Sequence, residues 1–316
     1  MMNETHVGWT DLSWNVFSGC KEESTGCAWC YAKQLAEQRR GTPAFPFGFD
    51  LTIRPKNFGD PPRALKKHGP SLVFVESMSD VGLDDDELKP DEVDRMFAAG
   101  YTGLDDVRDK LFAAIDGTPE HRYQLVTKRP KRLLRYLRER GRRVPASCWV
   151  GATVEHPSEV RRLDDLRAFR ELGAVVLFVS AEPLVGDVAA ALGPDGFAGI
   201  DWVIPGGESG IHASTPKHLE RRFLVERWHG GGWEPRPDRV PWVRGLVEAA
   251  HAAGARVWFK QWGGPRPEST GRSLDGRTYD ELPDHVPGAM PPGRRIAGGA
   301  PTAAVARKRA LPVLPA

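Results

Sequence analysis

The chain has 316 residues, 40% of them hydrophobic, enough for one large α/β domain or two small ones around a sizeable core. Charged residues make up 27% and nearly balance at a formal +2, so the whole-molecule charge calls for neither nucleic acid nor a membrane surface. No apolar run approaches the roughly 20 residues of a membrane span, and the N-terminus MMNETHVGWT lacks a secretory pattern; the expectation is a cytoplasmic protein with no membrane partner.

In chain order, the first strand candidate is LSWNVFSGC (12–20). It leads into GCAWCYAK, so that Cys20, Cys27 and Cys30 fall within eleven residues. KQLAEQR follows as a short helix. The next apolar, β-branched runs are SLVFVESMSD (71–80), RYQLVTKRP (122–130), CWVGATVEH (148–156), AVVLFVSAEP (174–183), DWVIPGGESG (201–210) and RVWFKQWGG (256–264). Near-continuous apolar runs of this length suit parallel strands buried on both faces. Helical patterns lie between them: PDEVDRMFAAG, with Pro90 near its start and Gly100 past its end, then LDDVRDKLFAAIDG, KRLLRYLRER, EVRRLDDLRAFRELG and WVRGLVEAAHAAG. Strand–helix alternation with right-handed crossovers predicts an α/β fold. The expectation is an incomplete (β/α) TIM-like barrel over residues 1–286, because seven strand candidates fall short of eight. Residues 213–241, rich in Gly, Pro, Trp and Arg, read as a functional insertion or lid. The Pro-, Gly- and Ala-rich stretch 287–316 reads as a flexible tail.

Each strand candidate ends in ionisable residues: Asp80, Lys128, Glu155, Glu182, Glu208 and Lys260. In a β/α barrel these ends converge on one face, where ligands bind. Polar junctions are common for any single strand, but six together predict a shared pocket. Lys128, Glu155, Glu182 and Lys260 are the candidate catalytic groups. Between Lys128 and Arg143 lie nine basic residues and one acid, Glu139. This is a candidate nucleic-acid surface, or a solvated helix face with Leu133, Leu134 and Leu137 turned inward.

Three chemistries suit the cysteines. A disulfide is uncommon in a reducing compartment. A structural zinc needs a fourth ligand, and Cys148, at the start of a strand candidate, belongs at the opposite end of the barrel. Three thiolates on a [4Fe–4S] cube leave one iron open to a small ligand.

The stretch NVFSGC-x6-CAWCYAK resembles the cluster motif of radical S-adenosylmethionine (SAM) enzymes, with the spore photoproduct lyase-like branch nearest. It departs from that family in its C-x6-C-x2-C spacing, three residues longer than usual. The resemblance implies a cluster on Cys20, Cys27 and Cys30. It implies SAM beside Trp29, with Ser77, Ser79, Asp80 and Glu208 as cofactor contacts, and an electron donor such as flavodoxin or ferredoxin. The implied reaction modifies or repairs a nucleic acid, nucleoside or other small anionic substrate. The alternative is a zinc- or cluster-stabilised barrel that binds nucleic acid without catalysis. A second resemblance spans roughly residues 9–283. WTDLSWNVFSGC, GCAWCYA, ESMSD, LVTKRP, SAEPLVG, DWVIPGGESG, FKQWG and DGRTYDELP, in that order, are similar to the phage Gp37/Gp68-like family (DUF5131), which brings no assigned reaction.

Overall fold

A computed structural model describes residues 2–193, 195–211, 215–227 and 230–283. The expected tail at 287–316, residues 284–286 of the expected barrel and residues 213, 214, 228 and 229 of the insertion lie outside the described residues. The strands are β1 (Asn3–Glu4), β2 (Leu12–Trp14), β3 (Phe17–Ser18), β4 (Thr52–Ile53), β5 (Leu72–Val75), β6 (Arg122–Thr127), β7 (Cys148–Thr153), β8 (Val176–Ala181), β9 (Trp202–Pro205), β10 (Val225–Arg227), β11 (Trp233–Pro235) and β12 (Arg256–Val257). The helices are α1 (Tyr31–Gln38), α2 (Asp60–His68), α3 (Pro90–Ala98), α4 (Leu104–Asp116), α5 (Pro130–Glu139), α6 (Arg162–Arg167), α7 (Val188–Ala191) and α8 (Val240–Ala252).

One sheet dominates, in the order β1-β2-β5-β6-β7-β8-β9-β12. Every pairing in it is parallel except β1 with β2. All seven strand candidates are therefore present, and in sequence order. The eighth strand, β1, is exposed and antiparallel and carries no apolar signal. The other strands, β3 with β4 and β10 with β11, form small two-stranded pairs.

The sheet divides the core. Residues 73, 75, 123, 125, 150, 152, 177, 179 and 203 face the helices in one large cluster. Residues of the alternate register, among them Leu72, Trp149, Phe178 and Trp202, form a second cluster with Trp9. This split follows from the period-2 alternation of strand side chains. The aromatic cluster also reports curvature. Trp9 lies 4.8 Å from Phe74 of β5 and 6.0 Å from Trp202 of β9 by ring centroids. Laid flat, those strands would stand about 19 Å apart, so the sheet curls around Trp9. It does not close: β12 pairs with β9, β1 with β2, and the two edges do not pair with each other. Residues 279–281 cover the β12 edge, with the Glu281 amide donating to the Val257 carbonyl at 3.0 Å and the Trp202 indole donating to the Glu281 carbonyl at 2.9 Å.

The helical patterns are all present, α6 shorter than its pattern, and α2 and the one-turn α7 are additions. Pro61 and Pro62 of α2 fall in its first turn, where a missing N–H costs nothing, and Gly69 ends it.

Candidate functional site

At the C-terminal ends of the parallel strands lies a cavity of about 690 Å³. It is lined by Cys20, Cys27 and Cys30, by Trp29, and by Ser77, Ser79, Asp80, Lys128, Glu182, Glu208 and Lys260. Of the expected site residues, Glu155 alone is not on its wall.

The cysteine loop is set by its fastenings. Cys27 and Cys30 share one turn, the Cys30 amide donating to the Cys27 carbonyl at 3.2 Å. Cys30 is also the N-cap residue of α1. Glu155, fully buried, accepts from the Ser24 hydroxyl and from the Gly26 amide at 3.2 Å. A side chain on Gly26 would place its Cβ 2.7 Å from the same oxygen, so any other residue there would displace Glu155. Burial pushes the Glu155 carboxyl up, but Lys128, Ser24 and Arg162 outweigh it and hold it below the usual carboxylate range. Glu155, expected among the catalytic groups, stands behind the wall and anchors the cysteine loop.

All four cysteines are free thiols. Burial pushes the Cys20 and Cys30 thiols up. Among the described residues no three of His, Cys, Asp and Glu are gathered as ligands of a metal ion. The donor chemistry nevertheless suits a thiolate-held cluster. Three soft sulfurs border one space, the Arg129 guanidinium stands 4.0 Å from the Cys20 sulfur, and Cys30 sits at a helix N-terminus. Holding a cluster requires Cys20 and the Cys27–Cys30 turn to close on it. Cys148 opens β7 in full burial, at the far end of the strands from the cavity.

The remaining residues divide by whether their polar atoms are free. Asp80 accepts from Thr127 Oγ1 at 2.5 Å, from the Gly82 and Lys128 amides at 2.8 and 3.0 Å, and pairs with Arg129 at 3.2 Å. Both its oxygens are committed, so it braces the wall. Both Glu208 oxygens accept from Arg222, each at 3.1 Å, and Arg222 also donates to the Thr25 carbonyl at 2.6 Å. Burial raises the Glu208 carboxyl against that pairing. The Ser79 hydroxyl is taken by Glu76. The Ser77 hydroxyl sits between Ser13 at 2.6 Å and the Asn15 amide at 3.1 Å. Lys128 stands 3.4 Å from Glu155, and Lys260 pairs with Glu182 at 2.8 Å.

Two residues that sequence reading passed over are central. Glu76, on the cavity wall, is fully buried with a positive φ of 59° and accepts from the Val16 amide at 2.7 Å. Burial pushes its carboxyl up to about 8 against those hydrogen bonds. It directly follows β5, as Lys128 follows β6 and Glu182 follows β8, but the sequence reading carried that run on to Asp80 and so passed over it. Arg222, inside the 213–241 insertion, ties that segment to both Glu208 and the cysteine loop, and nothing local marks it. Leu219, Phe223, Leu224 and Val225 are buried in the main core, so this part of the insertion is packed wall.

The basic segment is an ion-pair lattice. Seven of its nine cations hold acidic partners: Lys128, Arg129, Arg132, Arg135, Arg138, Arg140 and Arg142. Leu133, Leu134 and Leu137 face inward as expected.

Fold and site together define a parallel α/β protein with a thiol-lined cavity at the C-terminal ends of its strands. The family model described as a protein of unknown function, DUF5131, matches residues 4–221, more than half of the chain, and the chain belongs to that family. The match ends before FKQWG and DGRTYDELP, short of the span to 283 that the ordered phrases suggested. No curated protein and no solved structure matches the chain. Among the described residues no helix is long and apolar enough to cross a membrane.

Proposed function

We propose that the chain is a radical SAM-type enzyme. In this reading Cys20, Cys27 and Cys30 hold a [4Fe–4S] cluster, and the adjoining cavity takes SAM together with a nucleic-acid, nucleoside or other small anionic substrate. The observation that carries it is the meeting of three thiols and the strand-end ionisable residues on one cavity of about 690 Å³. That volume lies within the range of cofactor and ligand pockets, roughly 300–1,000 Å³. Such a cluster, when bound, supplies the electron that cleaves SAM to methionine and a 5′-deoxyadenosyl radical, which takes hydrogen from the substrate. An external carrier of the flavodoxin or ferredoxin kind delivers that electron.

The chain's own residues bind and orient. Trp29, between the two paired cysteines, offers an apolar face to an adenine. Ser77, its hydroxyl held by Ser13 and Asn15, borders the space that SAM would fill. The Glu182–Lys260 pair orients the substrate, and the aromatic pack beneath keeps water from the reacting centre. Asp80, Glu155 and Glu208 hold the wall and the cysteine loop.

The test is anaerobic purification and reconstitution with iron and sulfide. Iron is counted per chain, and paramagnetic resonance of the reduced protein is recorded with and without SAM. About four irons, as in a cubane cluster, and a spectrum that changes with SAM are expected. A colourless protein with one zinc, or a cluster indifferent to SAM, would overturn the radical chemistry. It would leave a metal-stapled open sheet that holds nucleic acid without catalysis.

A further inference from the structure

The cavity has a second zone, on the concave face above the aromatic cluster. Thr153 and Ser180 are direct cross-strand partners there, on β7 and β8. Each is 6% exposed and lines the cavity. Neither hydroxyl has a hydrogen-bond partner among the described residues. Both oxygens open onto the cavity with their hydrogen-bonding capacity unspent within the chain, so the polar edge of a molecule that enters can take them. On the wall of the same cavity the Lys260 ammonium, paired with Glu182 at 2.8 Å, keeps further N–H donors, and Glu182 remains an acceptor. Phe74 and Val126, both half-buried, add an apolar wall, and Phe74 leans on Trp9.

Charge decides what fits. Seven acidic and six basic side chains line the whole cavity. Lys128 and Lys260 are already matched by Glu155 and Glu182. A phosphate brought to this floor meets no excess positive charge and would lose its hydration uncompensated. A neutral planar ring with an apolar face and both donors and acceptors on its edge is matched throughout. Its face lies on Phe74 and Val126, its edge acceptors take the hydroxyls and Lys260, and its edge donors find Glu182.

We infer that this floor binds a nucleobase, presented by a free nucleoside or turned out of a single strand, with the phosphate left outside. The inference rests on the reading of this cavity as the substrate site, and it narrows the substrate from an anionic group to the base itself.

The test uses the full-length protein, free of iron and SAM, in calorimetric titrations with adenosine, guanosine, cytidine, thymidine and uridine. Their 5′-monophosphates, matching single-stranded tetranucleotides and inorganic phosphate are titrated in parallel. At least one nucleoside binds, and its monophosphate binds no tighter. Ser180→Ala and Thr153→Val each weaken binding by roughly three- to tenfold without lowering the melting temperature, and Phe74→Ala weakens it as well. A tetranucleotide that outbinds its nucleoside assigns the source as a strand; the reverse order assigns a free nucleoside. The inference is overturned if no nucleoside binds, if inorganic phosphate displaces the bound nucleoside, or if the hydroxyl variants bind as the parent does. It is also overturned if SAM displaces the nucleoside, since the floor would then belong to the cofactor's adenine. Because binding is read without iron, a protein that takes nucleosides but assembles no cluster keeps this inference and loses the cluster reading.

Discussion

Two residues show how tightly the cavity wall is specified. Glu76 is held in a left-handed backbone conformation, rare for a residue with a side chain, and buried with its carboxyl near 8 instead of 4.5. Between those two values the folded protein holds the proton more tightly than the unfolded chain does. Stability from this group is therefore fullest at acid pH and falls as pH rises through the window. Glu76→Gln should flatten that slope, measured as the difference in urea midpoint between pH 5 and pH 8. An unchanged slope would place the titration on another group. Gly26 is the second case. Gly26→Ala drives a methyl into Glu155 and lifts the cysteine turn from its anchor. Iodoacetamide should then label Cys27 and Cys30 several-fold faster, with the circular dichroism unchanged. Equal labelling rates would show that Glu155 does not set the turn.

Among the elements, the segment Lys217–Arg222 has consequences beyond its size. Among the described residues Arg222 is the only cation within bonding distance of Glu208, whose side chain is 5% exposed. Arg222→Ala leaves that carboxylate buried and alone, a loss of roughly 3–5 kcal/mol, readable by chemical denaturation. Arg222→Lys should recover part of the stability but not the bidentate grip on Glu208. A variant as stable as the parent would show that Glu208 finds water or another partner. What was legible in the sequence divides at this level. Seven strands were visible because each is an apolar run ending in a charge, and both faces of a parallel sheet are buried. β1 was not, since two exposed residues, Asn3 and Glu4, bear no pattern. The shared cavity followed from the strand ends, but the roles did not. Whether Asp80, Glu155 and Glu208 face a ligand or hold a neighbour depends on Thr127, Ser24 and Arg222, which lie 14 to 131 residues away. Thr153 and Ser180 escaped notice because hydroxyls inside apolar strands are ordinary until their partners are counted.

For the whole molecule, the curl of the sheet rests on the aromatic cluster rather than on edge closure. Trp202 is 0% exposed and makes ring contacts with Trp9, Trp149 and Phe178. Trp202→Ala should cost about 3–5 kcal/mol in urea unfolding. It should also widen the cavity above, since Trp9 carries both that packing and the hydrogen bond to Glu182 at 3.4 Å. A loss below 1 kcal/mol would mean that the sheet holds its curvature through the helices alone.

The sheet order also has a bearing on how the molecule is made. From β2 onward each parallel strand pairs with the one synthesised before it. The sheet can therefore assemble strand by strand as the chain leaves the ribosome, without waiting for distant segments. The cavity cannot. The cysteine loop emerges among the first thirty residues, while Arg222 and Lys260, which fasten and furnish the site, arrive some 200 residues later. At about 5–20 residues per second, the three thiols spend ten seconds or more on a nascent chain with no finished wall in front of them. The site is thus the last part of the fold to mature, and that interval is when the thiols are most open to oxidation.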